Sequence, residues 1–226
     1  MRRDSYCRSQ EMNMSSRKVV TRSGRGFRGY FPSKKLNRMV EYESLLERDA
    51  IYLFEFSPGI VSYQEQPELI LYEHECRTRK YYPDFEVIFK TDKPLHVEVK
   101  PEQKLNCSKL ADKFKAIHQR YQSHEANFLI FTDVLIRQNP LLSNLKTIAQ
   151  VRNHPEDFDQ IIVTAESLLR DNPNLSFNAF SQLIGYPQAL LLLARHRVFC
   201  DLYQKLTSPS NFVRLPKETD HDTVYF

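Results

Sequence analysis

Tyr82-Pro83-Asp84 and Glu98-Val99-Lys100 are separated by thirteen residues, a spacing that can bring two carboxylates and an amine together. Side chains alternate along a strand, so Glu98 and Lys100 share one face while Val97 and Val99 take the other. The polar stretch Lys90-Thr91-Asp92-Lys93 reads as a turn that folds the preceding strand back. If the turn centres near residue 91, Asp84 faces Glu98; a one-residue shift puts it between Glu98 and Lys100. Two close carboxylates repel, so the pair needs a cation or a raised pKa. Oxygen donors with room left for water suit Mg²⁺, with Mn²⁺ as a substitute. Such an ion polarises a phosphate oxygen and acidifies a water. Lys100 could hold the attacking water and offset charge at the phosphorane. The chemistry such a set would perform is hydrolytic cleavage of a phosphodiester.

The elements that must position these groups are legible as well. Glu41–Phe56 has apolar residues at Leu45, Leu46, Ile51, Leu53 and Phe54 with acids between, an amphipathic helix stopped by Ser57-Pro58-Gly59. Glu43 and Glu47 lie one turn apart on it, and either could supply a third acid. Strands are expected at Ile60–Gln66, Glu68–Tyr72, Tyr81–Phe89 and Leu95–Lys100, then a helix at Lys104–His124 and a buried strand at Asn127–Phe131. Helix, antiparallel strands, helix and strand make an α/β sandwich. Leu141–Arg152 reads as a helix that Asn153-His154-Pro155 breaks. Glu156–Arg170, Phe177–Leu183 and Gln188–His196 read as three short helices of the helix-turn-helix kind, followed by a tail that suggests a small hairpin or wing.

Charge divides the chain. Residues 1–40 hold eleven Lys/Arg against Asp4 and Glu11, whereas residues 156–226 hold six against nine acids. A basic arm on a mildly acidic body points to a polyanion, most often nucleic acid. Residues 1–18 are polar and without period, an expected disordered tail. Residues 19–40 are an expected irregular arm on a catalytic region that runs to residue 152, with residues 153–226 as a helical region for DNA or a protein partner. Cys7, Cys76, Cys107 and Cys200 form no C-x-x-C pair, which argues against structural zinc and a disulfide framework. The longest apolar run, Ala189–Ala194, is far short of the roughly 20 residues of a membrane helix. The start, Met1–Met14, has no apolar core of the signal-peptide kind. A soluble, cytoplasmic protein without membrane association is the expectation.

The residues Ser44-Leu45-Leu46-Glu47, Phe54-Glu55-Phe56, Val61–Pro67, Tyr82-Pro83-Asp84-Phe85, Glu98-Val99-Lys100-Pro101 and Phe131-Thr132-Asp133 follow one another in an order that resembles the TnsA family of transposon endonucleases. That family is a branch of the PD-(D/E)xK, restriction-endonuclease-like nucleases. The resemblance covers roughly residues 20–140. It implies a mixed sheet flanked by helices, followed by a small winged-helix-like domain. It also implies Glu47 as the helix glutamate, Asp84 as the central acid, Glu98 as the third acid, Lys100 as the catalytic lysine and the Val99 carbonyl as a further metal ligand. Glu43 ranks behind Glu47. Gln66 could touch the scissile phosphate, although a structural place at a strand end fits it at least as well. Arg22, Arg25, Arg28, Lys34, Lys35 and Lys104 are candidate phosphate contacts. The implied activity is cleavage of the 5′ ends of a transposon in double-stranded DNA. A DDE transposase subunit would cut and join the 3′ ends, and an AAA+ ATPase regulator would couple both to target choice. A stand-alone nuclease of restriction or junction-resolving type, or a catalytically silent DNA-binding scaffold, remain alternatives.

Overall fold

The computed structural model describes residues 27–90, 94–152 and 158–226. The expected tail 1–18, Arg22, Arg25, Cys7, most of the 90–93 turn and the 153–155 break lie outside these residues.

Strands β1 (Gly29–Ser33) and β2 (Arg38–Tyr42) pair as an antiparallel hairpin, with Phe31 opposite Val40. The described part of the arm is therefore a packed element and not the irregular segment expected. A buried acid organises it. Glu55 accepts hydrogen bonds from Ser33 Oγ (2.6 Å), the backbone amides of Lys34 (2.7 Å) and Lys35 (3.2 Å), and Tyr63 Oη (2.7 Å). The Lys35 ammonium donates to the carbonyls of Phe54, Ser57 and Ile60, each at 2.7 Å. These carbonyls lie at or just beyond the end of helix α1 (Leu45–Phe56), where a cation compensates orphan acceptors and the negative end of the helix dipole. Helix α1 starts four residues later than expected, because Glu41 and Tyr42 belong to β2 and Ser44 is the N-cap.

The central sheet has the order β3-β6-β7-β8, with β3 (Ile60–Glu65), β6 (Phe85–Phe89), β7 (Leu95–Lys100) and β8 (Asn127–Thr132). The first three run antiparallel and β8 lies parallel to β7, so the sheet is mixed. Between β3 and β6 stands a separate hairpin of β4 (Ile70–His74) and β5 (Arg77–Tyr81), turned by Glu75 and Cys76, both at positive φ. The expected strand Tyr81–Phe89 is thus two elements. Tyr82-Pro83-Asp84 breaks them, since Pro83 has no amide to donate to a ladder. Strand β5 was not expected from Arg77-Thr78-Arg79-Lys80, which lacks apolar alternation.

Helices α2 (Glu102–Leu105) and α3 (Ser108–Gln122) replace the single expected helix. Phe114, Ile117 and Tyr121 of α3 close a small second core with Tyr72 and Tyr81. The chain continues through α4 (Asp133–Ile136), α5 (Leu141–Val151), α6 (Phe158–Asp171), α7 (Phe177–Ile184) and α8 (Tyr186–Ala194). The carboxy-terminal region is helical. Beyond α8 the described residues make two isolated bridges, Phe212 back to Ser176 at the start of α7 and Phe199 with Arg214, and a 3₁₀ turn at Glu218–Asp222.

The main core is continuous from Phe31 to Tyr225. Phe226 packs on Phe54, Phe89 and Phe131 at ring separations of 5.9, 6.4 and 4.9 Å. Gly59 donates its amide to Thr223 O, and a Cβ on Gly59 would stand 2.6 Å from Asp222 O, so the returning tail leaves room for glycine alone. No helix among the described residues is long and apolar enough to cross a membrane.

Near this junction, burial pushes the His196 imidazole down to about 4, helped by Lys35, His221 and Lys90. The unfolded chain then binds a proton that the folded chain refuses. Stability is full above about pH 6.5 and falls as pH drops towards 4, by at most about 3 kcal/mol. Thermal melts of the wild type and His196→Gln between pH 4 and 7 check this: the substitution should flatten the acid-side slope, and an unchanged slope rules it out.

Candidate active site

The β6–β7 register pairs Phe85 with Val97 and Val87 with Leu95. Carried one residue further, it sets Asp84 opposite Glu98, the arrangement expected for a turn centred near residue 91. Asp84 is pinned on both sides. Its carbonyl accepts the Gln66 amide at 3.0 Å, and its Oδ2 accepts the Val99 amide at 2.7 Å.

Lys100 lies on the Glu98 face, as strand alternation requires. Its Nζ is 2.8 Å from Glu98 Oε1, 3.3 Å from Asp84 Oδ2 and 3.1 Å from Val99 O. One ammonium therefore gathers both carboxylates and a main-chain carbonyl. The Glu98 side chain is 4% exposed, against 18% for Asp84 and 28% for Lys100, so the cluster opens on the Asp84–Lys100 side. Its rear is sealed by Tyr81, whose hydroxyl donates to Glu98 Oε2 at 2.6 Å. Further back, His96 Nδ1 meets Tyr121 Oη at 2.6 Å and Nε2 lies 3.3 Å from Glu86, which makes His96 part of the buried support.

The electrostatics follow from this crowding. Burial, then the neighbouring Glu98 charge, pushes the Asp84 carboxyl up to about 7, against the pull of Lys100. Burial disfavours the Lys100 charge, but Asp84 and Glu98 together outweigh it and raise its pKa. Lys100 is accordingly a firm cation when no other cation is bound.

Glu47 sits differently. Its carboxylate accepts the Glu43 amide (2.7 Å) and the Ser44 hydroxyl (2.9 Å), while Ser44 Oγ accepts the Glu47 amide (3.1 Å). Ser44 thus caps the start of α1, and the Glu47 carboxylate folds back over that cap to the preceding Glu43 amide. Burial raises the Glu47 pKa, and Lys100 opposes the rise. Glu47 also contributes to the rise at Asp84, so it borders the cluster without joining its hydrogen bonds. The Glu43 side chain pairs with Arg28 at 3.3 Å. Gln66 is buried just beyond β3 with φ of 41°. Lys35 is held on carbonyls inside the fold, which corrects its expected place on phosphate. Lys34 and Lys104 are exposed.

Among the described residues no three His, Cys, Asp or Glu side chains converge as a metal site. The donor set present is two carboxylates and the Val99 carbonyl, all oxygen and already gathered around one positive charge. That set fits a hard divalent cation taking the place of the ammonium.

Residues 57–133 match a family model described as the TnsA-like endonuclease N terminal. That TnsA-like segment contains Asp84, Glu98, Val99 and Lys100, together with the four strands of the mixed sheet. It begins beyond Glu47 and covers about a third of the chain. No match was found among curated proteins.

Two contributors were not anticipated from the sequence. Ser44 was signalled by S-x-x-E before an apolar run, a capping-box pattern. Tyr81 had no local signal, because its partner Glu98 is seventeen residues away across a hairpin.

Asn at position 84 mimics the protonated acid. Because the folded Asp84 carboxyl holds its proton more tightly than the unfolded one, metal-free stability falls as pH rises from about 4 to about 7. Asp84→Asn should raise the metal-free melting temperature at pH 8 and abolish Mn²⁺ binding; a lower melting temperature contradicts the electrostatic account. Tyr81→Phe keeps the ring and removes the donor to Glu98. Its Mn²⁺ affinity by calorimetry should fall roughly tenfold or more, and unchanged affinity denies Tyr81 a positioning role.

Proposed function

We propose that the chain is a Mg²⁺-dependent DNA endonuclease, the subunit of a heteromeric cut-and-paste transposase that cleaves the 5′ ends of the element. The observation that carries this reading is the single cation held between Asp84, Glu98 and the Val99 carbonyl, inside the TnsA-like segment.

Asp84, Glu98 and the Val99 carbonyl would hold Mg²⁺, or Mn²⁺ in its stead, with Glu47 as the nearest further carboxylate. When bound, the ion supplies positive charge at a phosphoryl oxygen and makes water more acidic. The chain's own residues do the rest. The Val99 amide and the Gln66 amide keep Asp84 on the open side of the sheet. Tyr81 holds Glu98 from behind and excludes water there. Lys100 is a hydrogen-bond donor and a counter-charge for the phosphate, not a base, as long as the carboxylates keep it protonated. A divalent ion on the same oxygens would weaken that hold and free the amine to orient a water.

A DDE transposase that cuts and joins the 3′ ends, and an AAA+ regulator, are the proposed protein partners. The helical region after α5 is the proposed docking region. End-labelled donor DNA, cut with Mg²⁺ by the chain together with its transposase, tests the assignment. Asp84→Ala and Lys100→Ala should each lower 5′-end cleavage by at least about 10³-fold while assembly on DNA persists. Normal double-strand cleavage by Asp84→Ala refutes it. Efficient cleavage of plasmid by the chain alone favours a stand-alone nuclease.

A further inference from the structure

Most described cations of the amino-terminal region are engaged within the fold. Arg28 meets Glu43, Arg38 reaches both oxygens of Glu65 at 2.7 and 2.6 Å, and Lys35 binds three carbonyls. A second set of cations stands elsewhere. In β5, Arg77, Arg79 and Lys80 are exposed and Tyr81 is buried. By strand alternation Arg77 and Arg79 share the Tyr81 face. Lys113 of α3 places its Nζ 5.4 Å from the centroid of the Tyr81 ring, the same tyrosine whose hydroxyl reaches Glu98. Lys109 lies one turn before Lys113 on the same helix face. Lys109 and Lys104 line one shallow depression with Cys107 and Leu110. Lys104 itself follows Lys100 by four residues.

Lys104, Lys109 and Lys113 thus follow Lys100 along α2 and α3, and Lys113 meets β5 at Tyr81, beside the cluster's closed side. Arg79 is paired with Glu75 in the hairpin turn. Among the described residues Lys104, Lys109, Lys113 and Arg77 have no carboxylate partner. Glu102 and Asp112 are the only acids on α2 and α3. The aromatic rings among these elements, Tyr72, Tyr81 and Phe114, are buried. They offer no stacking platform of the kind single strands require. Spaced cations without such a platform suit the phosphates of a duplex, read as backbone and not as sequence.

We propose that Lys104, Lys109, Lys113, Arg79 and Arg77 grip the phosphate backbone of double-stranded DNA beside the cleavage cluster. The inference rests on the nuclease reading and deepens it by naming the face on which the substrate lies.

Fluorescence anisotropy of the full chain with a labelled duplex of about 30 base pairs, in EDTA and at about 50 to 200 mM NaCl, tests it. Arg77→Ala/Lys109→Ala/Lys113→Ala should weaken binding at least roughly tenfold and reduce the slope of log affinity against log salt by roughly two to three, about 0.9 for each phosphate that is no longer neutralised. Because Lys113 packs on Tyr81, the exposed pair Lys104→Ala/Lys109→Ala serves as a second variant, with an expected slope reduction of roughly two. Arg170→Ala/Lys205→Ala/Lys217→Ala removes three exposed cations from the carboxy-terminal region and should change affinity less than about twofold. Equal losses in the face and control triples overturn the proposal, as does wild-type affinity in the face variants. Tighter binding of single-stranded RNA than of duplex DNA overturns it too. Mg²⁺-dependent cleavage by the wild type, measured alongside, separates the two claims: cleavage with unaltered binding in the face variants sinks the phosphate grip and leaves the nuclease reading standing.

Discussion

Two carboxylates on neighbouring strands repel each other, and the Asp84–Glu98 pair is tolerated only because a positive charge lies between them. Lys100 supplies that charge at 2.8 and 3.3 Å. The cost of the arrangement is visible at Asp84, whose proton affinity rises to about 7 despite the lysine. Such a cluster is electrostatically unsatisfied, and a divalent ion on the same oxygens would relieve it more fully than one ammonium does. The geometry depends on register. A one-residue slip between β6 and β7 would turn the strand's polar set to the opposite face.

The surrounding structure protects that register. Gln66 and Val99 fix the backbone and carboxylate of Asp84, and Tyr81 ties the β4–β5 hairpin to Glu98. The elements around the sheet are held by other buried acids, each with its own partners. Asp49 collects Arg137 and Lys146 at 2.9 and 2.7 Å, Glu65 takes Arg38, and Glu55 holds the β1–β2 turn. Deleting one partner of a buried charge leaves the other uncompensated, which is destabilising. The described amino-terminal basic residues therefore belong partly to folding, and an electrostatic reading of that arm as purely nucleic-acid-binding overstates what is left over.

Position within the fold also separates the acids. Asp84 and Glu98 meet across a strand pair, whereas Glu47 folds back over the N-cap of α1. A helix N-terminus favours a carboxylate for its own sake, so the place of Glu47 has a structural explanation that Asp84 and Glu98 lack. The TnsA-like segment, residues 57–133, likewise contains the strand cluster and not the helix.

The sequence by itself determined the chemistry-bearing core of this protein. Alternation along Leu95–Lys100 put Glu98 and Lys100 on one face, and the thirteen-residue spacing with a polar turn brought Asp84 to Glu98 within one residue of register, which the β6–β7 pairing then settled. Those are local constraints of strand and turn, readable without a third dimension. The apolar periodicity of α1 was legible for the same reason. What only the tertiary structure decided were meetings between distant segments. They include the partnership of Tyr81 with Glu98, Lys35 capping α1 from another element, the β1–β2 hairpin folded around Glu55, and the split of one expected strand into β5 and β6. Each turns on which surfaces meet once the sheet and helices have packed, and neither residue type nor periodicity encodes that.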